Sequence, residues 1–168
     1  MVTTVLDART IAEAVTDPEL PMMTLADLGV LRSVDVDAEG AVTVTITPTY
    51  SGCPAMDAMR DDLRRSLREA GYSTVDIRTV LSPAWSTDWI TESGRATLAE
   101  HGIAPPGPTR QRAAGPIPLT VQPLQRRVSC PLCGSADTEE LSEFSATACK
   151  ALRRCRACRE PFEHVKEI

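Results

Sequence analysis

Cysteine carries most of the chemistry available to this chain. Four of its six cysteines form two Cys-x-x-Cys knuckles, Cys130-Pro131-Leu132-Cys133 and Cys155-Arg156-Ala157-Cys158, with 21 residues (134–154) between them. Four thiolates satisfy a tetrahedral Zn²⁺, and knuckles joined by roughly 15–20 residues are a known spacing for that ion. A hairpin loop absorbs the extra residue. Pro131 and Gly134 suit backbone that folds tightly around a cation. An Fe–S centre accepts the same four ligands, so residue type alone leaves the metal open. Two disulfides are the alternative. The opening residues 1–7 hold no basic region and no apolar run of signal length. That points to a reducing, cytoplasmic setting, where such pairs are metal ligands.

The fifth cysteine, Cys53, sits in Tyr50-Ser51-Gly52-Cys53-Pro54-Ala55-Met56, between a strand end and a helix start. Helix N-termini present unpaired N–H groups and the positive end of the dipole, which favour a thiolate. The plain alternative is a buried thiol acting as a small hydrophobe. A Cys–His hydrolase pair is disfavoured, because the only histidines are His101 and His164, on a C-terminal helix and near the chain end. Asp17-Pro18-Glu19-Leu20-Pro21 places two carboxylates beside two prolines, either as a simple turn or as acidic ligands near Cys53. Cys149 is the odd thiol of the tail. It could replace a knuckle cysteine, react through its neighbour Lys150, or pack inertly. Trp85 and Trp89 are both of the chain's tryptophans, and they read as a lid over the sheet or as an anchor for a partner.

The elements that must position these residues follow from pattern. Asp7 caps a short helix bearing Ile11, Ala14 and Val15 that ends near Thr16, and Asp17-Pro18 breaks it. Residues 28–37 and 41–47 form a hairpin about Ala38-Glu39-Gly40, and 41–47 alternates with period two. A helix begins at Pro54 with Met56, Met59, Leu63, Leu67 and Ala70 on one face, and Gly71 stops it. Residues 74–81 are a third strand. Residues 87–101 form a last helix, weakened by Gly94. The predicted class is α+β or α/β: a helix–hairpin–helix–strand–helix domain with a mixed sheet over 1–104. A Pro/Gly-rich linker follows at 105–123, then a zinc ribbon over 124–168.

Composition narrows the function. The chain of 168 residues has 42% hydrophobic residues, enough for a core, and 4% aromatics, too few for a base-stacking surface. Net charge is −5. Residues 1–109 carry 8 basic and 16 acidic side chains and residues 110–168 carry 10 and 7, giving −8 and +3. An acidic body and a tail whose surplus is offset by a tetrathiolate centre disfavour nucleic acid as a partner. No stretch approaches the roughly 20 apolar residues of a membrane span.

Several segments together resemble a known family. Asp17–Pro21, Asp27-Leu28-Gly29-Val30-Leu31, Thr47–Pro54 with its Gly-Cys-Pro, and Pro83-Ala84-Trp85 resemble the iron–sulfur cluster assembly factors over residues 8–104. With the tail Cys-Pro-x-Cys-Gly … Thr-Ala-Cys-Lys-Ala-Leu … Cys-x-x-Cys-x-Glu-Pro-Phe, the whole chain resembles the D-subunit family of bacterial phenylacetyl-CoA 1,2-epoxidase systems. The resemblance implies a non-catalytic accessory or maturation factor in phenylacetate degradation, or else a docking component of the oxygenase complex. Oxygenase and reductase subunits, or a second copy of the chain, would be its partners. It implies a cluster- or iron-handling role for Cys53 with Asp17 and Glu19, a transient Fe–S cluster or iron as cargo, and Cys130, Cys133, Cys155 and Cys158 as metal ligands. Cys149 matches the extra thiol. The tail departs from the family pattern at Ser145-Ala146-Thr147 and at Glu163-His164-Val165.

Overall fold

A computed structural model describes residues 7–50, 52–109 and 127–168. The bulk of the expected linker, 110–123, lies outside the described residues. The chain divides into two compact units, Met1–Thr97 and Leu98–Ile168.

In the first unit, helix α1 spans Ala8–Glu13, and the Asp7 carboxylate accepts from the Arg9 N–H. Strands β1 (Leu31–Val36) and β2 (Val42–Ile46) pair antiparallel, and β3 (Val75–Thr79) joins β2 in parallel through the crossover helix α2 (Met56–Glu69). The sheet order is β1-β2-β3. Val42, Val44 and Ile46 point to one face by the period-two rule and are buried. Met59, Leu63 and Leu67 recur at helical spacing on α2 and are equally buried, as are Ala8 and Ala12 of α1. The opposite face of β2 carries Thr43 and Thr45, which are half-buried.

The boundaries shift from expectation for local reasons. α2 starts at Met56, not Pro54: residues 54–55 form a turn in which the Met56 N–H reaches the Cys53 carbonyl at 3.4 Å, and Ala55 offers no capping side chain. β1 starts at Leu31, because residues 24–29 turn instead. Thr24 and Asp27 exchange bonds, the Asp27 N–H donating to Thr24 Oγ1 at 3.0 Å and that hydroxyl donating to Asp27 Oδ2 at 2.9 Å. Gly29 closes this turn at φ +68. α1 stops at Glu13. The last helical stretch is split into a 3-10 turn at Thr87–Trp89 and α3 at Glu92–Glu100. Gly94 also sits in a close-packed place, since a Cβ there would lie 3.1 Å from the Asp27 carbonyl oxygen and 2.8 Å from the flexible end of Met23.

Asp27 ties the 24–29 turn to the start of α3, accepting at Oδ1 from Thr91 Oγ1 (2.8 Å) and Ser93 Oγ (3.0 Å). Burial pushes its carboxyl up. The bonds from Thr91, Thr24 and Ser93 outweigh that and hold it below the usual aspartate range. Trp85 is buried, and its indole N–H donates to the Leu28 carbonyl at 2.9 Å. Trp89 is half-buried beneath the Arg32 guanidinium, 3.8 Å from the ring centre. Trp85 is therefore a lid on the turn.

In the second unit, β4 (Ile103–Ala104), β5 (Thr138–Ser142), β6 (Lys150–Cys155) and β7 (Pro161–Val165) form one sheet in the order β4-β7-β6-β5. β5, β6 and β7 are a meander, and β4 adds in parallel to β7. Its apolar cluster is small: Ala104, Val128, Cys130, Cys155 and Phe162, with Cys158 packed against it.

Two outcomes are expected for the first unit. A Gly29→Ala change brings a left-handed penalty of about 1 kcal/mol and a Cβ only 2.6 Å from Trp89 Cβ. With overpacking of about 1–3 kcal/mol added, urea unfolding should show a loss of about 2–4 kcal/mol. Asp27→Asn should be less stable than wild type at pH 7. Because the folded carboxyl is depressed, its contribution is present above the unfolded value of about 3.9 and is lost as pH falls through the folded one. The gap between the two proteins should therefore narrow in acid melts below about pH 4.

Candidate metal centre and the Cys53 loop

The two knuckles share one local design. In the first, the Cys130 N–H donates to the Ser135 carbonyl at 2.9 Å, and Gly134 takes φ +73. In the second, the Cys155 N–H donates to the Glu160 carbonyl at 3.0 Å, and Arg159, in the place of Gly134, takes φ +67. Register places Thr138 opposite Cys155, so the sheet itself carries the second knuckle. The Thr138 hydroxyl donates to the Val128 carbonyl at 2.7 Å and anchors the approach to the first.

The four sulfurs lie within 4.8 Å of one another. Cys130 and Cys158 are 3.8 Å apart, and Cys133 and Cys155 are 3.5 Å apart. A tetrahedron with metal–sulfur bonds of about 2.3 Å has edges of about 3.8 Å, so the donor set fits Zn²⁺ in size and type. A disulfide needs about 2.05 Å, and the close pairs run between knuckles, so the sulfurs form a ligand set and not two disulfides. N–H donors tune the cluster. The Cys158 amide, 3.5 Å from Cys155 Sγ, leads the influences that bring the Cys155 thiol down to about 6. The Glu160 amide favours a thiolate at Cys158, but burial and the sulfurs of Cys155, Cys133 and Cys130 outweigh it and push Cys158 up to about 12. A divalent cation relieves that mutual opposition.

Cys149 stands outside the four-sulfur group. Its sulfur lies 3.1 Å from Thr147 Oγ1. The Lys150 ammonium is buried and bound instead to Glu163 Oε2 at 2.7 Å. Ser145 Oγ bonds the other oxygen of Glu163. The two stretches where the tail departs from the family pattern therefore meet and satisfy each other. Burial pushes the Glu163 carboxyl up, and Lys150 and Ser145 outweigh it to hold it low.

In the first unit, Cys53 is half-buried, two residues before the α2 cap residue Ala55. Its N–H donates to the Tyr50 carbonyl at 3.3 Å. Asp17 is buried at 5% exposure, and its Oδ1 accepts from the Glu19 N–H at 2.7 Å and the Leu20 N–H at 2.9 Å. The Asp17 carboxylate thus shapes the 17–20 turn. Glu19 is half-buried. Among the described residues, Cys53, Asp17 and Glu19 do not gather into a metal-binding group of three, and the ribbon four do. Sequence reasoning missed Thr47, which is 1% exposed at the entry to the Cys53 loop and whose Oγ1 has no hydrogen-bond partner among the described residues. It also missed Arg159, whose only signal is its place after the second knuckle.

Residues 8–77 match the family model of iron–sulfur cluster assembly proteins, a span that contains Asp17, Glu19 and Cys53. Residues 116–166 match the PaaD zinc beta ribbon domain, which contains all four knuckle cysteines and Cys149. Over 152 residues the chain is 43% identical to a protein of Escherichia coli (strain K12), the D-subunit of a "Putative 1,2-phenylacetyl-CoA epoxidase", covering 90% of this chain and 86% of that one. The chain belongs to that D-subunit family. The chain is also 39% identical over 83 residues to an Fe-S protein maturation auxiliary factor of Porphyromonas gingivalis, covering 49% of this chain and 78% of that one. A crystal structure of a domain of unknown function from Bacillus anthracis shares the fold at TM-score 0.50 and 26% identity, over 54% of this chain and 87% of that one. This member of the D-subunit family thus joins a body of mixed sheet and helices to a zinc ribbon. Among the described residues no helix is long and apolar enough to cross a membrane.

The left-handed Arg159 gives a direct check on the knuckle geometry. Arg159→Gly should raise unfolding free energy by about 1 kcal/mol in denaturant titrations of the zinc-loaded protein, with the metal content unchanged. A loss of stability would show that the knuckle does not need this conformation.

Proposed function

We propose that the chain is a cytoplasmic, non-catalytic accessory factor of a phenylacetyl-CoA epoxidase system, and that Cys53 passes iron or an Fe–S cluster to an oxygenase or reductase subunit. The observation that carries this reading is the joining of two parts in one chain. A body similar to Fe–S maturation factors is fused to the ribbon found with epoxidase D-subunits. Ligand count supports a transient role. A stably held cluster takes about four ligands, mostly thiolates. Cys53 is partly exposed, and the metal-binding group found among the described residues is elsewhere. The remaining ligands then come from the client or from a second copy, and an incomplete shell permits release. In this division of labour the ribbon is the structural metal site and the body handles cargo.

A docking role without metal transfer is the second reading. Leu132, Leu141 and Phe144 of the ribbon unit are exposed at 57%, 48% and 58%, which favours it. The two readings separate in one experiment. The oxygenase and reductase are co-expressed with wild type or Cys53→Ser, and their iron and cluster content is measured. Transfer predicts a severalfold drop in client metal while Cys53→Ser keeps its own zinc. Fully loaded clients from the Cys53→Ser cells would leave the docking role.

A further inference from the structure

The four ligands of the ribbon are not equally shielded. Cys155 and Cys130 are 0% and 2% exposed, Cys158 is intermediate, and Cys133 is exposed. A metal-bound sulfur is held deprotonated at neutral pH and so stays a nucleophile wherever solvent reaches it. Cys133 is the ligand that a small solute meets first. The sulfur beside it is that of the buried Cys155, 3.5 Å away in the other knuckle. An approach of about 1.5 Å would close a disulfide between them.

We propose that Cys133 is a modification site for hydrogen peroxide, and that its oxidation joins it to Cys155 and expels the ribbon's metal ion. The Cys133 thiolate attacks the peroxide oxygen, the O–O bond breaks, and the departing hydroxide takes up a proton to become water. The sulfenic acid left on Cys133 is then attacked by the Cys155 thiolate, and a second hydroxide leaves as water. The two sulfurs supply the two electrons that reduce the peroxide. Cys130 and Cys158 remain with two ligand bonds to the ion, too few to hold it, and take up protons as it departs.

The pairing across knuckles gives this step a particular consequence. A disulfide inside one knuckle would leave the two knuckles unconnected. A Cys133–Cys155 bond keeps them stapled, and it spans the same 21-residue stretch, 134–154, that the metal had closed. Oxidation then exchanges one cross-link for another, so a thiol reductant together with zinc restores the starting state. This inference rests on the ribbon and not on the role given to Cys53, and its failure would leave the transfer reading untouched.

The test uses the zinc-loaded full chain carrying Cys53→Ser and Cys149→Ser, which keeps the four ligands and removes both other thiols. Hydrogen peroxide is added under anaerobic conditions. Zinc release is followed with a chromogenic chelator, and the products are mapped by peptide mass spectrometry. One zinc released per peroxide consumed, at the wild-type rate, with a Cys133–Cys155 disulfide that dithiothreitol and zinc reverse, is the expected result. Release that requires Cys53 or Cys149 would overturn the proposal. So would a disulfide confined to one knuckle, or retention of zinc under excess peroxide.

Discussion

Four thiolate sulfurs confined within 4.8 Å of each other cannot all stay charged without a cation among them. At 4 Å each like-charged pair repels by about 1 kcal/mol in water and about 4 kcal/mol at the effective dielectric of a protein surface. The opposite displacements of the Cys155 and Cys158 thiols express this conflict. The rest of the second unit depends on its resolution, because the apolar cluster around the sulfurs is small. Two of the five residues in its apolar cluster, Cys130 and Cys155, are themselves ligands. Small domains of this size commonly need a staple, and structural zinc supplies folding free energy directly. The meander β5-β6-β7 and its ion pairs, Lys150 with Glu163 and Arg153 with Glu140, then complete the unit around the metal.

The first unit solves the opposite problem. Its sheet and helices bury Val42, Val44, Ile46, Met59, Leu63 and Leu67 almost completely, so it has a core without a metal. That core fixes where β2 ends and α2 begins, and hence where Cys53 sits. The Asp17 carboxylate turns the backbone, its Oδ1 accepting from the Glu19 and Leu20 N–H groups. Asp27 does the same for the junction with α3. The carboxylates of Asp17 and Asp27 stabilise the scaffold, and Cys53 stands half-buried at its edge.

Much of this was legible in the sequence, for identifiable reasons. The 41–47 strand and α2 announce themselves by strict periodicity, and the knuckles by spacing. What was illegible depends on contacts between distant segments. Nothing local in Asp27-Leu28-Gly29 reveals that Thr91 and Ser93 will bind the carboxylate, or that Trp89 will fill the space beside Gly29. β4 could not be read, since two residues, Ile103 and Ala104, become a strand only by pairing with β7, some sixty positions later. Gly94 reads as a flaw in a helix until the Asp27 carbonyl is seen close against it. Cys149 and Lys150 are adjacent in sequence, yet the ammonium is committed to Glu163. Side-chain commitment is a tertiary fact, and it separates the Cys53 loop, where only the thiol's position could be inferred, from the ribbon, where spacing alone picked out the four sulfurs that lie together.

The claim that a tetrathiolate ion organises the ribbon is tested most directly by X-ray absorption at the metal edge of the protein as isolated, with metal content measured on the same sample. The account predicts one zinc per chain surrounded by four sulfurs at about 2.3 Å. A shell containing nitrogen or oxygen ligands, an iron edge with iron–iron scattering, or a folded ribbon that holds no metal would contradict it.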